Sequence, residues 1–145
     1  MLRILPQEIE TWYIIPAIRR ELARELVKRG LSQRAVAARL GITESAISQY
    51  IKDKRATKVA LKPEMLEEIK RTVDSLLAGG DAFNEVYRLS LVMKKDMTIC
   101  EIHRTHEAVP QQCTMCYDAA DPVAEGRDHM ESGAQWAPIK MRKGE

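Results

Sequence analysis

Through the first two-thirds of the chain, apolar residues recur at intervals of three and four, and strict alternation never extends beyond a few positions. The first pattern is that of half-buried helices, and no run is long enough to build a sheet. The chain is therefore expected to be mostly α. Pro6, followed by Gln7 and Glu8, opens a first helical stretch carrying Ile9, Trp12, Tyr13 and Ile14. Pro16 removes a backbone donor inside this stretch, which predicts a kink or a restart with Pro16 in the first turn of the next segment. From there Ile18, Leu22, Leu26 and Val27 continue at helical spacing to Gly30, a residue suited to a left-handed cap.

Two short helices are predicted next. Ser32 stands in an N-cap position before the stripe Val36, Ala37 and Leu40, which ends at Gly41; Thr43 caps a second stripe of Ala46, Ile47, Tyr50 and Ile51. A longer helix opens at Pro63 with Met65, Leu66, Ile69, Val73, Leu76 and Leu77 on one side and stops at Gly79-Gly80. Asp81 caps a further helix bearing Phe83, Val86, Tyr87, Leu89 and Val92. These last two elements, read as a helical hairpin, expose more apolar length than one small domain needs, so a homodimer is expected. Residues 118–145 mix Asp, Glu, Gly and Pro with few core formers and read as a flexible tail, in which Trp136 is an isolated aromatic.

Charge changes this picture. The 145 residues carry a net +2, but residues 1–62 hold 13 Lys and Arg against 6 Asp and Glu, a local +7, and the remainder is at −5. Much of the excess surrounds the two short helices: Arg34 lies in the first, and Lys52, Lys54 and Arg55 follow the second. A basic patch of this kind suits a polyanion. No apolar run reaches the ~18 residues of a membrane span, and the N-terminal residues lack a secretory leader pattern, so a cytoplasmic protein without membrane partners is expected.

The stretch LSQRAVAARLGITESAISQYI, residues 31–51, has a mechanical reading. Small Ala37 and Ala46 let two helix axes approach, Gly41 supplies the positive φ of a tight turn, and Ile42 plugs the corner. The second helix then projects Glu44, Ser45, Ser48 and Gln49, short polar side chains able to meet base edges in a major groove. On Ser32-Gln33, Ala37, Leu40-Gly41, Thr43, Ile47, Ser48 and Tyr50, this stretch resembles the helix-turn-helix of lambda-repressor and Cro-like transcription regulators. With the preceding segment from Trp12 through Pro16 to Leu22, residues 5–116 also resemble a group of small predicted regulators found mainly in archaea, some with a cysteine-bearing segment behind the DNA-binding domain. The resemblance implies that residues 32–40 lie across the groove and residues 43–51 enter it. Gln33 would touch phosphate and brace the recognition helix, and Glu44, Ser45, Ser48 and Gln49 would read bases, with Thr43 also on the DNA side; the local charge adds Arg34, Lys52, Lys54 and Arg55 as phosphate partners.

The segment 100–116 holds all three cysteines. Cys100 and His103 form a C-x2-H pair, Cys113 and Cys116 a C-x2-C pair, and nine residues separate them. Such spacers let each pair converge on one ion, so the four residues form a candidate tetrahedral site for Zn²⁺, with an iron–sulfur cluster as the alternative and His106 as a substitute ligand. Ordinary reduced cysteines with no cofactor, or a redox-labile Cys113/Cys116 dithiol, are the competing readings. No Walker loop, dinucleotide fingerprint, G-x-S-x-G or H-E-x-x-H occurs, which argues against an enzyme.

The sequence thus predicts a lambda-repressor-like helical domain over 1–62, a dimerising or linking region over 63–98, a Cys/His metal-type module over 99–117 and a tail over 118–145. The expected function is a sequence-specific transcription regulator on double-stranded DNA, homodimeric and metal- or redox-responsive. The alternative is a protein-interaction module or antitoxin on the same fold with a structural zinc.

Overall fold

The computed structural model describes residues 3–120, and among these every regular element is a helix. The first stretch is one continuous rod: α1 (Pro6–Ile9), a π-helical turn (Glu10–Ile14) and α2 (Ile15–Lys28). Pro16 sits in the first turn of α2, and the disturbance it causes is absorbed just upstream, where the Ile15 N–H donates to the Glu10 carbonyl five residues back. The wide turn has a packing reason visible in the sequence. Ile9 and Ile14 are five apart, a spacing an α-helix would splay, yet Ile9, Ile14, Ile18 and Leu22 are all buried to within 1%. The i→i+5 turn aligns them and leaves Trp12 outward, 55% exposed.

α2 is the central rod, packed against α3 (Gln33–Leu40), α4 (Glu44–Ile51), α5 (Pro63–Leu77) and α6 (Ala82–Lys95). Beyond them lie α7 (Thr98–His106) and α8 (Met115–Ala120). One buried cluster runs from Ile9 through Ile47, Val73, Leu89 and Ile99 to Cys116, so the elements on both sides of Lys62 share a core. Polar ties reinforce this. Arg29 Nη1 donates to Asp74 Oδ1 at 2.8 Å, and Arg39 donates to the Leu76 carbonyl. Lys62 Nζ meets Glu101 Oε1 at 3.0 Å and the Asp96 carbonyl at 2.8 Å; Lys94 pairs with Glu10 at 2.6 Å. Between α5 and α6, Arg88 reaches Glu68 and Thr72, while the Ser75 hydroxyl donates to Glu85.

Two expectations shift at the C-terminal end. Residues Thr98–His106, expected in a compact ligand-bearing module, form a regular helix, because Thr98, Ile99 and Cys100 are drawn into the core. Asp96 starts that helix by accepting from the Thr98 N–H at 2.9 Å. Residues 118–120, assigned by sequence to the tail, complete α8. The remainder of the expected tail, Trp136 included, lies outside the described residues.

Candidate nucleic-acid interface

The α3–α4 corner is built from three local devices. Ser32 Oγ accepts from the Ala35 N–H at 3.1 Å and starts α3. Gly41 ends it at φ 64°, ψ 35°, with its own N–H on the Ala37 carbonyl and the Ile42 N–H on the same oxygen at 3.1 Å. Thr43 Oγ1 then accepts from the Ala46 N–H at 3.1 Å and starts α4. Ala37 and Ala46 are both buried, as the close approach requires, and Ile47 and Tyr50 anchor α4 in the core.

Burying Ala46, Ile47 and Tyr50 fixes which side of α4 faces out. Glu44, Ser45 and Gln49 are exposed, Ser48 is half-buried, and Lys52 continues the same face into solvent. Thr43 is an exposed cap, Gln33 is half-buried at the start of α3, and Arg34 beside it is exposed. Lys54 and Arg55 are exposed in the loop that follows α4. The sequence-predicted residues therefore fall on one corner and its exit loop. Gln49 is partly engaged: its Oε1 accepts from Arg55 Nη1 at 3.5 Å, and the Arg55 guanidinium lies 5.8 Å from the Tyr50 ring centroid.

The exit loop contains a feature that sequence reasoning missed. Asp53 adopts φ 53° where helices most often place glycine, and the Lys54 N–H closes back on the Gln49 carbonyl at 2.9 Å. Asp53 then accepts from Arg20 Nη2 at 2.5 Å and Arg24 Nη1 at 3.2 Å. The Arg20 hydrogen bond holds the Asp53 carboxyl below its ordinary pKa, with the Arg24 charge adding to it. The loop's acid is thus turned back onto α2, and Lys52, Lys54, Arg55 and Lys58 are left as exposed cations around it. The signal was the interruption of a basic run by a single Asp; its partners lie some thirty positions away, beyond any local pattern.

Residues 21–62 match the family described as Helix-turn-helix. This segment is a lambda-repressor/Cro-like helix-turn-helix domain. The match runs from the middle of α2 to the residue before α5 and covers less than a third of the chain. No curated protein and no solved structure matches the chain. The helix-turn-helix is a DNA-binding regulator family, and among the described residues no helix is long and apolar enough to cross a membrane.

The cysteines form a separate group behind the helix-turn-helix domain. Cys100 on α7 and Cys116 on α8 are buried, Cys113 is half-buried, and all three are free thiols. Burial raises the Cys100 pKa, and Cys116 lies within hydrogen-bonding reach of it; burial, then the neighbouring Cys100 and Cys113, push Cys116 up to about 11. The imidazoles of the predicted ligand set have other partners: His103 Nε2 meets the Glu107 carboxylate, and His106 Nε2 meets the Tyr13 hydroxyl at 2.9 Å. Among the described residues no three His, Cys, Asp or Glu side chains gather as a metal-holding group.

Proposed function

We propose that this protein is a sequence-specific transcription regulator that reads double-stranded DNA with α4. The observation that carries the reading is the outward face of α4, where Ser45, Ser48 and Gln49 stand between exposed cations on α3 and in the exit loop. Short polar side chains can exchange hydrogen bonds with base edges, while Arg34, Lys52, Lys54 and Arg55 neutralise phosphates on either side. Gln33 at the start of α3 braces this arrangement from the groove edge. Selection of bound fragments from random duplex DNA tests the proposal. Ser45→Ala or Gln49→Ala should lose discrimination among sequences, whereas Lys54→Ala should weaken all binding and lower the salt slope by about 1. Equal behaviour of the two classes, or no fragment preference at moderate ionic strength, refutes it.

The reading extends to a homodimer that places two α4 helices about 34 Å apart on successive half-sites. Its support is the pair Phe83 and Tyr87, 71% and 55% exposed and one turn apart on α6. They flank a cleft shared with Leu40 and Gly41 of the helix-turn-helix domain. Sedimentation of the wild type against Phe83→Asp tests it, a dimer converted to a monomer being the expected result.

The adjacent thiols support a metal- or redox-responsive role for the C-terminal segment. Cys113, Cys116 and Cys100 would supply sulfur to Zn²⁺ or an iron–sulfur cluster, and because burial raises the pKa values of Cys100 and Cys116, binding must displace their protons. Anaerobic purification followed by metal analysis, a visible spectrum and a thiol count distinguishes zinc, cluster and metal-free dithiol.

A further inference from the structure

The outward Trp12 and the exit loop of α4 enclose an open cleft of about 410 Å³, lined by Trp12, Tyr13, Lys54, Arg55, Thr57 and Lys58 together with Ala56 and Val59. Three features set it apart from ordinary surface. Its lining contains three cations and no carboxylate, and Asp53, next to Lys54 in the chain, is paired with Arg20 and Arg24. Its wall is a tryptophan left 55% exposed by the π-helical turn, on a rod whose other large apolar side chains are buried or half-buried. Its loop is held in a defined shape, with Asp53 and Ala56 both in the left-handed region at φ 53° and 58°.

We propose that this cleft is a second DNA contact, a clamp for the sugar–phosphate strand that flanks the segment read by α4. The inference rests on the DNA-reading role of α4. The continuity is direct, since Lys54 and Arg55 belong both to the cleft and to the loop that leaves α4. A strand following the groove edge past the C-terminal end of α4 meets Lys54, Arg55 and Lys58 as phosphate partners, with the Thr57 hydroxyl as a neutral donor. The Trp12 indole then lies against the flanking deoxyribose, an apolar contact that accepts any sequence. The clamp adds affinity and orientation without reading bases. It also gives the π-helical turn a function beyond packing: the same wide turn that aligns Ile9 with Ile14 turns Trp12 toward the loop.

The chain contains two tryptophans, so Trp136→Phe leaves Trp12 as the sole indole reporter. The full-length Trp136→Phe protein is titrated with two duplexes centred on the selected site, one trimmed to the segment read by α4 and one extended by a helical turn on each side. The clamp predicts quenching of Trp12 emission by the extended duplex and much less by the trimmed one. Trp12→Ala should bind the extended duplex several-fold more weakly and the trimmed duplex unchanged. Lys58→Ala should lower the salt slope on the extended duplex by about 1. Both side chains are exposed, and far-UV circular dichroism of each variant verifies the fold. Tight binding of the extended duplex with unchanged Trp12 emission and undiminished Trp12→Ala affinity overturns the clamp and leaves α4 as the reader. Failure of both duplexes to bind overturns the reading role and the clamp with it.

Discussion

Replacing Gly41 by alanine isolates the conformational cost of the corner between α3 and α4. Gly41 lies at φ 64°, ψ 35°, and a Cβ added there meets no atom within 4 Å. The substitution therefore introduces backbone strain without a clash. An L-residue in this region costs about 1–2 kcal/mol. Opposing this, the unfolded chain loses freedom worth about 0.4–1 kcal/mol when glycine becomes alanine, which favours the folded state. The net destabilisation is roughly 0–1.6 kcal/mol, about 0.8 kcal/mol at the middle of both ranges. With a urea dependence of about 1–3 kcal/mol per molar, the midpoint falls by several tenths of a molar at an unchanged slope. Gly41→Asn should lose less, because asparagine tolerates the left-handed region better than alanine. Urea unfolding followed by far-UV circular dichroism reads all three proteins. A loss above about 3 kcal/mol for alanine would reveal crowding absent from this corner, and a gain in stability for alanine would mean that residue 41 is not left-handed.

Three further outcomes follow from the same geometry. Ile47 is fully buried beneath α4, so Ile47→Ala should cost about 2–5 kcal/mol in urea unfolding and reduce DNA binding only by unfolding the domain. Asp53 has a folded pKa below its unfolded value, so its ion pairs stabilise the protein above about pH 4 and this contribution is lost as pH falls through the lowered folded pKa. The stability difference between wild type and Asp53→Asn should accordingly shrink on acidification across that window. Cys116, raised to about 11, gives the opposite flank: the unfolded chain releases its thiol proton first, so stability declines as pH rises from about 9 toward 11. Cys116→Ser should flatten that alkaline decline in urea titrations of the reduced protein.

The helix-turn-helix was legible because nearly all of its information is local. Ser32 and Thr43 cap through hydrogen bonds three residues long, Gly41 supplies its own left-handed turn, and the stripe Ala46, Ile47 and Tyr50 selects the outward face without reference to any other element. The kink expected at Pro16 was legible as a disturbance, but its form was not. A π-helical turn is chosen by the demand that Ile9 and Ile14 share one buried face, and that demand exists only once α5, α6 and α7 supply the core.

The Cys/His spacing shows the converse. C-x2-H and C-x2-C describe what two loops could do around an ion, but burial of Ile99 and Cys100 makes the first pair part of a helix and gives both nearby imidazoles other partners. Asp53 and Trp12 also took their meaning from distant residues: Arg20 and Arg24 turn the one aside, and the exit loop encloses the other. By itself, then, the sequence determined the helices from α2 to α6, their caps, the corner and the polar face of α4, since these depend on contacts within a few residues. Tertiary structure decided which charges were left over for a partner and which aromatic faced them, because charge pairing and burial are settled by contacts between segments far apart in the chain.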